Sequence, residues 1–248
     1  MRNTAHHFFL YDASGSTTKL AAGEKITLNP ELSSRIATIL RLSAGETCTL
    51  FANTGETATL ELTSVLAGKG AKVQATVIAT STTAPLQPKI TLICGITKQA
   101  TFEEICYTAT QLGVSQIFPV TTQKSYTKAY NAKDMNRFIA HAIAAAEQSK
   151  QIFLPKIYAP SPLKAVLQND FVANSTKVFF EADGQPFSII LHEQITHLTA
   201  AFGPEGGFTN EEGKWLEEAH FKRLKLCTPI LRSQDAVEVG LGIIRCLF

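Results

Sequence analysis

Two short clusters in this chain carry residue types that can do chemistry. One is Gly203-Pro204-Glu205-Gly206-Gly207-Phe208, and the other is Pro229-Ile230-Leu231-Arg232-Ser233. Three glycines in five residues permit positive φ and let backbone approach a ligand closely. The turn has neither G-K-[ST] nor G-x-G-x-x-G, so it lacks the groups that hold nucleotide phosphates and magnesium. Glu205 sits inside it, and a carboxylate repels phosphates. A cationic or neutral ligand therefore suits this loop better than a triphosphate. A plain tight turn would carry the same residues. Arg232 is the one fixed positive charge in an otherwise apolar neighbourhood. It stands at the expected start of a helix, where the macrodipole disfavours cations, and a solvated surface arginine is the alternative to a functional one.

The neighbouring residues define what positions these clusters. Leu198–Phe202 is a short apolar run that reads as a buried strand, and Thr209 lies three residues before Glu212, the spacing of a helix capping box. Strand, glycine-rich loop and helix in that order place backbone N–H groups at the C-terminal edge of a sheet, where α/β proteins bind ligands. Arg223–Cys227 reads as another strand and Thr228–Leu231 as a loop. Ser233 is then the expected N-cap of a last helix, Gln234–Phe248. That helix is apolar nearly all round, with Val237, Val239, Leu241, Ile243, Ile244, Leu247 and Phe248, so it is buried within the fold or against a partner subunit.

With 248 residues and 45% apolar content, the chain can bury one large core or two modest ones. The net charge of +2 excludes a large basic field, so any nucleic acid must be held by local clusters. Cys48, Cys94, Cys106, Cys227 and Cys246 are odd in number and contain no C-x-x-C pair, which argues against a disulfide framework and a zinc site. They read as small buried hydrophobes. No apolar run approaches a membrane span and the first residues lack a signal-peptide core, so a soluble, cytoplasmic protein that binds no metal is expected. Lys25–Leu28, Thr47–Ala52, Ala58–Val65 and Lys72–Thr80 read as strands around one short helix, Glu31–Leu42, with Leu32, Ile36, Ile39 and Leu40 inward, and their spacing suggests a small barrel. The two-proline segment 82–88 is the expected boundary, giving domains 1–82 and 83–248.

From Lys89 strands alternate with helices. Ile90–Cys94, Gln116–Val120 and Lys177–Glu181 join the two strands already named, which argues for an open, parallel α/β sheet. Thr101 with Glu104 predicts a capping box for a helix that carries Phe102, Ile105, Ala109 and Leu112 and stops at Gly113. Lys133–Gln151 is helical, with Met135, Phe138, Ile139, Ala142, Ile143 and Ala146 inward, and Pro186–Gln194 is expected to be helical too. His192, His197 and His220 fall on or beside predicted helices and are expected at the surface.

G-P-E-G-G-F-T-x-x-E at Gly203–Glu212 and P-I-L-R-S at Pro229–Ser233 resemble the RsmE family of ribosomal RNA uridine-N3 methyltransferases, of the SPOUT class. Ile96–Gln99, Gln111–Val114, Gln123–Ser125 and Ala144–Lys150 resemble further family segments in the same order. Arg35–Arg41 with Ala44-Gly45-Glu46 resembles a motif of the family's first domain, although Arg35 stands where a histidine is usual. Ser233-Gln234-Asp235 replaces a Thr-Glu-Thr, Cys227-Thr228-Pro229 a Gly-Pro-Arg, Gln111 a glutamate and Lys124 an arginine.

The resemblance implies a PUA-like β-barrel that helps hold RNA, followed by a parallel-sheet methyltransferase domain with a deep trefoil knot. It implies S-adenosyl-L-methionine as cofactor, held by three loops: after Phe180-Glu181; at Phe202, Gly203, Pro204, Glu205, Gly206 and Gly207; and at Leu226, Cys227, Ile230 and Leu231. It implies methylation of N3 of a uridine in 16S rRNA, within the small ribosomal subunit, by a homodimer. Arg232 is then the expected catalytic residue, stabilising negative charge on the uracil carbonyls. Arg2, His6, His7, Arg35, Arg41 and Lys124 are candidate RNA contacts. A non-catalytic RNA-binding protein that keeps the fold is the alternative favoured by the altered Ser233–Asp235 turn. An unrelated nucleotide-binding enzyme is disfavoured by the missing phosphate lysine.

Overall fold

The computed structural model describes residues 8–127, 130–191, 194–226 and 228–248. Arg2, His6, His7, His192 and Cys227, named above, lie outside them. The chain divides into two units, one of Met1–Pro85 with Glu147–Phe153, and one of Leu86–Ala146 with Leu154–Phe248.

The first unit is built on five strands: β1 (Phe8–Tyr11), β2 (Lys25–Thr27), β3 (Thr47–Phe51), β4 (Glu56–Leu66) and β5 (Lys72–Thr82), in the order β1-β3-β4-β5-β2. Along β4 and β5 alternate residues are buried: Ala58, Leu60 and Leu62 against Val73, Ala75 and Val77. This is the two-residue period of a sheet with one face on a core. β1, which the sequence reading passed over, pairs parallel with β3. The expected helix over 31–42 is shorter and of mixed geometry. An α-helical turn, α1 (Pro30–Ser34), is capped by Asn29 and continues as a π-helical turn through Leu40, ended by Arg41 at φ 55°. The wider turn rotates Ile39 out of the core, where it is 71% exposed, while Leu32 and Ile36 stay buried. Both nitrogens of the Arg35 fork bond to Glu147, whose carboxylate also accepts the Tyr11 N–H at 2.9 Å. Arg35 is therefore committed to a carboxylate rather than free for a phosphate.

The second unit contains β6 (Lys89–Gly95), α2 (Gln99–Gln111), β7 (Gln116–Thr121), α3 (Ala132–Ser149), β8 (Lys156–Ile157), β9 (Ser161–Pro162), α4 (Leu163–Leu167), α5 (Asp170–Ala173), β10 (Thr176–Gln185), β11 (His197–Phe202), α6 (Asn210–Glu218), β12 (Lys222–Leu224) and α7 (Ser233–Leu247). The last turn of α3 groups with the first unit. The strands form one sheet in the order β12-β10-β11-β6-β7-β8, with β9 also on β7, and every pairing is parallel. Seven strands thus stand where five were expected; the two extra ones, β8 and β9, are two residues each and carry no periodicity.

Why the central strands read as unbroken apolar runs is now clear. Ile90, Leu92, Cys94, Val178, Phe180, Leu198, Ala200 and Phe202 face one core with α2, α3 and α7, and Ile93, Phe118, Phe179 and Ala201 face another with α4, α5 and α6. A sheet covered on both faces has no polar side to alternate. The last helix is covered along Val237, Gly240, Leu241 and Ile244, whereas Cys246 and Leu247 are exposed, so it is less enclosed than its composition implied. Its last turn is fastened by Arg245, which donates to the carbonyls of Leu112 and Gly113 at the end of α2 and of Gln87 and Pro88. A cation there satisfies carbonyls that a helix end leaves without partners.

Several local expectations are corrected. α2 starts at Gln99 with Lys98 as N-cap, so Thr101 and Glu104 lie inside the helix and form no capping box. Among the described residues between Pro186 and Gln194 the structure has a 3-10 turn, Phe187–Ile189, and no α-helix. Ile139 is 45% exposed on α3. His197 opens β11 half-buried, with Nε2 2.9 Å from the Thr91 hydroxyl, and burial with nearby Lys89 holds its pKa down. Cys48, Cys94 and Cys106 are buried, but Cys246 is exposed.

Candidate cofactor site

The parallel register brings the C-terminal ends of β10 and β11 side by side, with Phe179 opposite Ala201. The next residues, Phe180 and Phe202, stack at 4.6 Å between ring centroids. β10 does not stop at Glu181 as expected: residues 181–184 bulge outward between two pairings of the strand with Leu224, at Phe180 and again at Gln185. β12 in turn ends at Leu224 rather than at Cys227, which frees 225, 226 and 228–232 from the sheet. These three strand ends enclose a cavity of about 280 Å³. It is lined by Phe180, Glu181 and Ala182 from the bulge, by Phe202, Gly203, Pro204, Glu205 and Gly207 after β11, and by Leu226, Thr228, Pro229, Ile230, Leu231, Ser233 and Ala236 around the start of α7.

The glycine-rich turn is tied from every side. Gly207 N–H donates to the Pro204 carbonyl at 2.8 Å and Gly207 takes φ 67°, which a side chain would resist. A Cβ on Gly203 would lie 2.8 Å from the Gly207 backbone, so the turn can close only on glycine. Lys124 Nζ donates to the carbonyls of Gly206 and Phe208 at 2.8 and 3.3 Å. Glu181 Oε1 accepts the Phe208 N–H at 3.2 Å, and burial pushes the Glu181 carboxyl up from its usual pKa. The Thr209–Glu212 capping box forms as its spacing predicts. Buried Glu212 does more than cap, because its other oxygen accepts the Gln123 N–H at 2.7 Å. Glu212→Ala removes both acceptors and leaves two N–H groups without partners; the expected loss is about 2 kcal/mol of stability, measured by urea denaturation, with Glu212→Gln losing less.

Ser233 is the first helical residue rather than the N-cap; Arg232 caps α7 without a side-chain bond. The Ser233 hydroxyl instead donates to the Gly203 carbonyl at 3.1 Å, stitching the helix to the turn. That bond explains why a hydroxyl residue belongs at this position.

Residues 84–245 match the RNA methyltransferase domain family. The chain belongs to that family. Among curated relatives, the ribosomal RNA small subunit methyltransferase E of Rickettsia conorii is 28% identical over 64% of this chain and 64% of its own length. The matched stretch therefore spans just under two thirds of that relative. The protein of the same name from Bacillus subtilis is 27% identical over 84% of this chain and 85% of its own. A crystal structure of ribosomal RNA small subunit methyltransferase E from Neisseria gonorrhoeae bound to S-adenosyl methionine superposes with a TM-score of 0.85 at 25% identity, over 98% of both chains.

In this RNA methyltransferase domain, ten of the twelve residues named for the cofactor line one cavity: Phe180, Glu181, Phe202, Gly203, Pro204, Glu205, Gly207, Leu226, Ile230 and Leu231. Gly206 packs against the Lys124 side chain at the back of the turn, and Cys227 is outside the described residues. Arg232 is exposed, between the cavity-lining Leu231 and Ser233, and its side chain has no bonding partner among the described residues. Lys124, named as an RNA contact, spends its ammonium on the loop carbonyls. Arg41 is exposed. Thr228 and Pro229 lie within the expected cofactor loop Leu226–Leu231, whereas Ala182, Ser233 and Ala236 were not named as cofactor residues. Of these three, Ser233 carried a signal, as a hydroxyl at a helix start and the last residue of the Pro229–Ser233 motif. Among the described residues no group of three or more His, Cys, Asp or Glu could hold a metal ion, and no helix is long and apolar enough to cross a membrane.

Proposed function

We propose that the chain methylates N3 of a uridine in 16S rRNA of the small ribosomal subunit, with S-adenosyl-L-methionine as methyl donor. The observation that carries this reading is the cavity at the parallel strand ends, in a chain of the RNA methyltransferase family. Its residues fit the donor. The apolar walls of Phe180, Phe202, Leu226 and Leu231 suit a flat base, and the glycine turn and the loop before α7 offer backbone groups at its edges. When bound, the donor supplies an electrophilic methyl: N3 gains it, sulfur keeps the bonding electrons and the N3 proton leaves. Arg232 stabilises the negative charge that develops on the uracil oxygens as that proton departs. Holding donor and acceptor in line supplies a further share of the rate.

The same reading extends to the architecture and setting. The first unit is the PUA-like barrel, residues 1–82, and residues 83–248 form the methyltransferase domain. The loop before α7 and the helix that follows belong to a trefoil knot of the parallel-sheet domain. The enzyme works in the cytoplasm as a homodimer, and Arg2, His6, His7, Arg35, Arg41 and Lys124 are the candidate RNA contacts. Of these, Arg41 has the exposure a phosphate contact requires, whereas the Arg35–Glu147 pair would have to open. The test is transfer of labelled methyl groups from S-adenosyl-L-methionine to small subunits lacking the modification. Recovery of 3-methyluridine from the 16S rRNA is the expected result. Binding of the donor with no transfer would replace this reading with a non-catalytic RNA-binding protein.

A further inference from the structure

Among the described residues, the cavity is lined by apolar, hydroxyl and glycine residues and by two ionisable ones, Glu181 and Glu205, both acids. We propose that these two carboxylates make the cavity a charge filter, which holds the cationic methyl donor more tightly than its neutral demethylated product. This inference rests on the proposed function and concerns how the same site distinguishes its two states.

The geometry supports it on three counts. First, both carboxylates keep capacity to spare. Glu181 uses Oε1 for the Phe208 N–H, and Glu205 uses Oε1 for a long 3.4 Å contact from the Lys98 N–H. The second oxygen of each accepts nothing from the described residues. Second, two neighbouring cations are engaged elsewhere, and among the described residues no Lys or Arg lines the cavity, Arg232 standing exposed at its edge. Lys124 is bound to the carbonyls of Gly206 and Phe208, and Arg223 is bound to Asp183 and Glu217 at 2.9 Å each. Third, Glu181 is half-buried, and burial disfavours its ionised form. A carboxylate in that position is stabilised by a cation arriving beside it.

Charge is what methyl transfer changes. The donor carries a sulfonium, an α-ammonium and an α-carboxylate, for a net +1. Breaking the S–CH3 bond leaves both electrons on sulfur as a neutral thioether, so the product is net zero, while the methyl stays on N3 and the N3 proton passes to solvent. Attraction to the two carboxylates falls at the moment of reaction, and product release is favoured. The same acids oppose entry of a phosphate into the cavity, which keeps the polyanionic substrate at its mouth, near Arg232.

Titration calorimetry with the full chain tests the proposal, using the donor, the demethylated product, and the donor analogue in which a C–NH3+ group replaces the sulfonium. The wild type is expected to bind donor and amine analogue alike, and both more tightly than the product. Glu181→Gln and Glu205→Gln should each cut the donor-to-product affinity ratio several-fold, about tenfold together, with product affinity nearly unchanged. A merely structural role would weaken all three ligands in parallel and leave the ratio alone, which overturns the proposal. Wild-type protein gives an independent check: the ratio should shrink between about 0.05 and 0.5 M salt as the carboxylates are screened, and a constant ratio overturns it. Failure of all three ligands to bind the wild type would overturn the proposed function as well. Binding of all three with a ratio near one would remove the charge filter alone.

Discussion

Arg232→Lys is expected to lower the turnover of methyl transfer about 100-fold while leaving donor affinity and thermal stability near the wild-type values. The reasons are positional. Arg232 caps α7 with backbone only, is exposed, and has no side-chain partner among the described residues, so nothing in the fold depends on its guanidinium. A cation at a helix N-terminus is mildly unfavourable, and Arg232→Ala should therefore be neutral or slightly stabilising. Leu231 and Ser233 on either side line the cavity, so Arg232 stands at its edge. Lysine keeps the charge but loses the planar fork that can meet two carbonyl oxygens at once. Single-turnover kinetics with saturating donor is the measurement. Full activity in Arg232→Lys would remove Arg232 from the chemistry, and a fall in donor affinity equal to the fall in rate would make it a binding residue.

The second large effect is expected at Gly95, the last residue of β6, which the sequence marks only as one glycine among fifteen. A Cβ there would stand 2.4 Å from Pro204 Cδ, 2.5 Å from Pro204 N and 3.1 Å from the Gly203 carbonyl carbon. These atoms belong to the backbone and ring of the turn that forms one wall of the cavity, so no side-chain rotation can make room. Gly95→Ala must push the turn off the sheet. The expected cost is about 3 kcal/mol of stability, at the upper end for overpacking, together with loss of measurable donor binding. Denaturant unfolding and calorimetry on the same preparation separate the two effects. Gly68→Ala is a control for handling a glycine at positive φ, because a Cβ there meets nothing within 4 Å. It should cost stability through backbone strain alone and leave donor binding intact. Near-normal binding in Gly95→Ala would mean that the turn does not form the cofactor wall.

Much of the site was legible in the residues because its constraints are local. The 203–207 turn closes only on glycine, the Thr209–Glu212 box is satisfied within four residues, and β11 is a continuous apolar run because both of its faces are covered. What misled was also local. Thr101 and Glu104 have the spacing of a capping box, but the cap falls three residues earlier, where Lys98 supplies the extended backbone that a cap requires. The run 186–194 has helical composition, yet its described residues form one 3-10 turn. Ile39 fits an α-helical period that the π-helical turn interrupts.

The chain's sequence by itself determined five strands of the parallel sheet, the loop chemistry and the family, since each depends on residue type at short spacing. Tertiary structure alone decided which distant residues meet. Lys124 lies more than eighty positions from the carbonyls it holds, Ser233 thirty from Gly203, and Arg35 more than a hundred from Glu147. It also decided that two carboxylates, Glu181 from one strand and Glu205 from the turn after the next, line one cavity that has no lysine or arginine among its described lining residues. Strand register and loop closure set those encounters, and neither leaves a mark on the periodicity of any single segment.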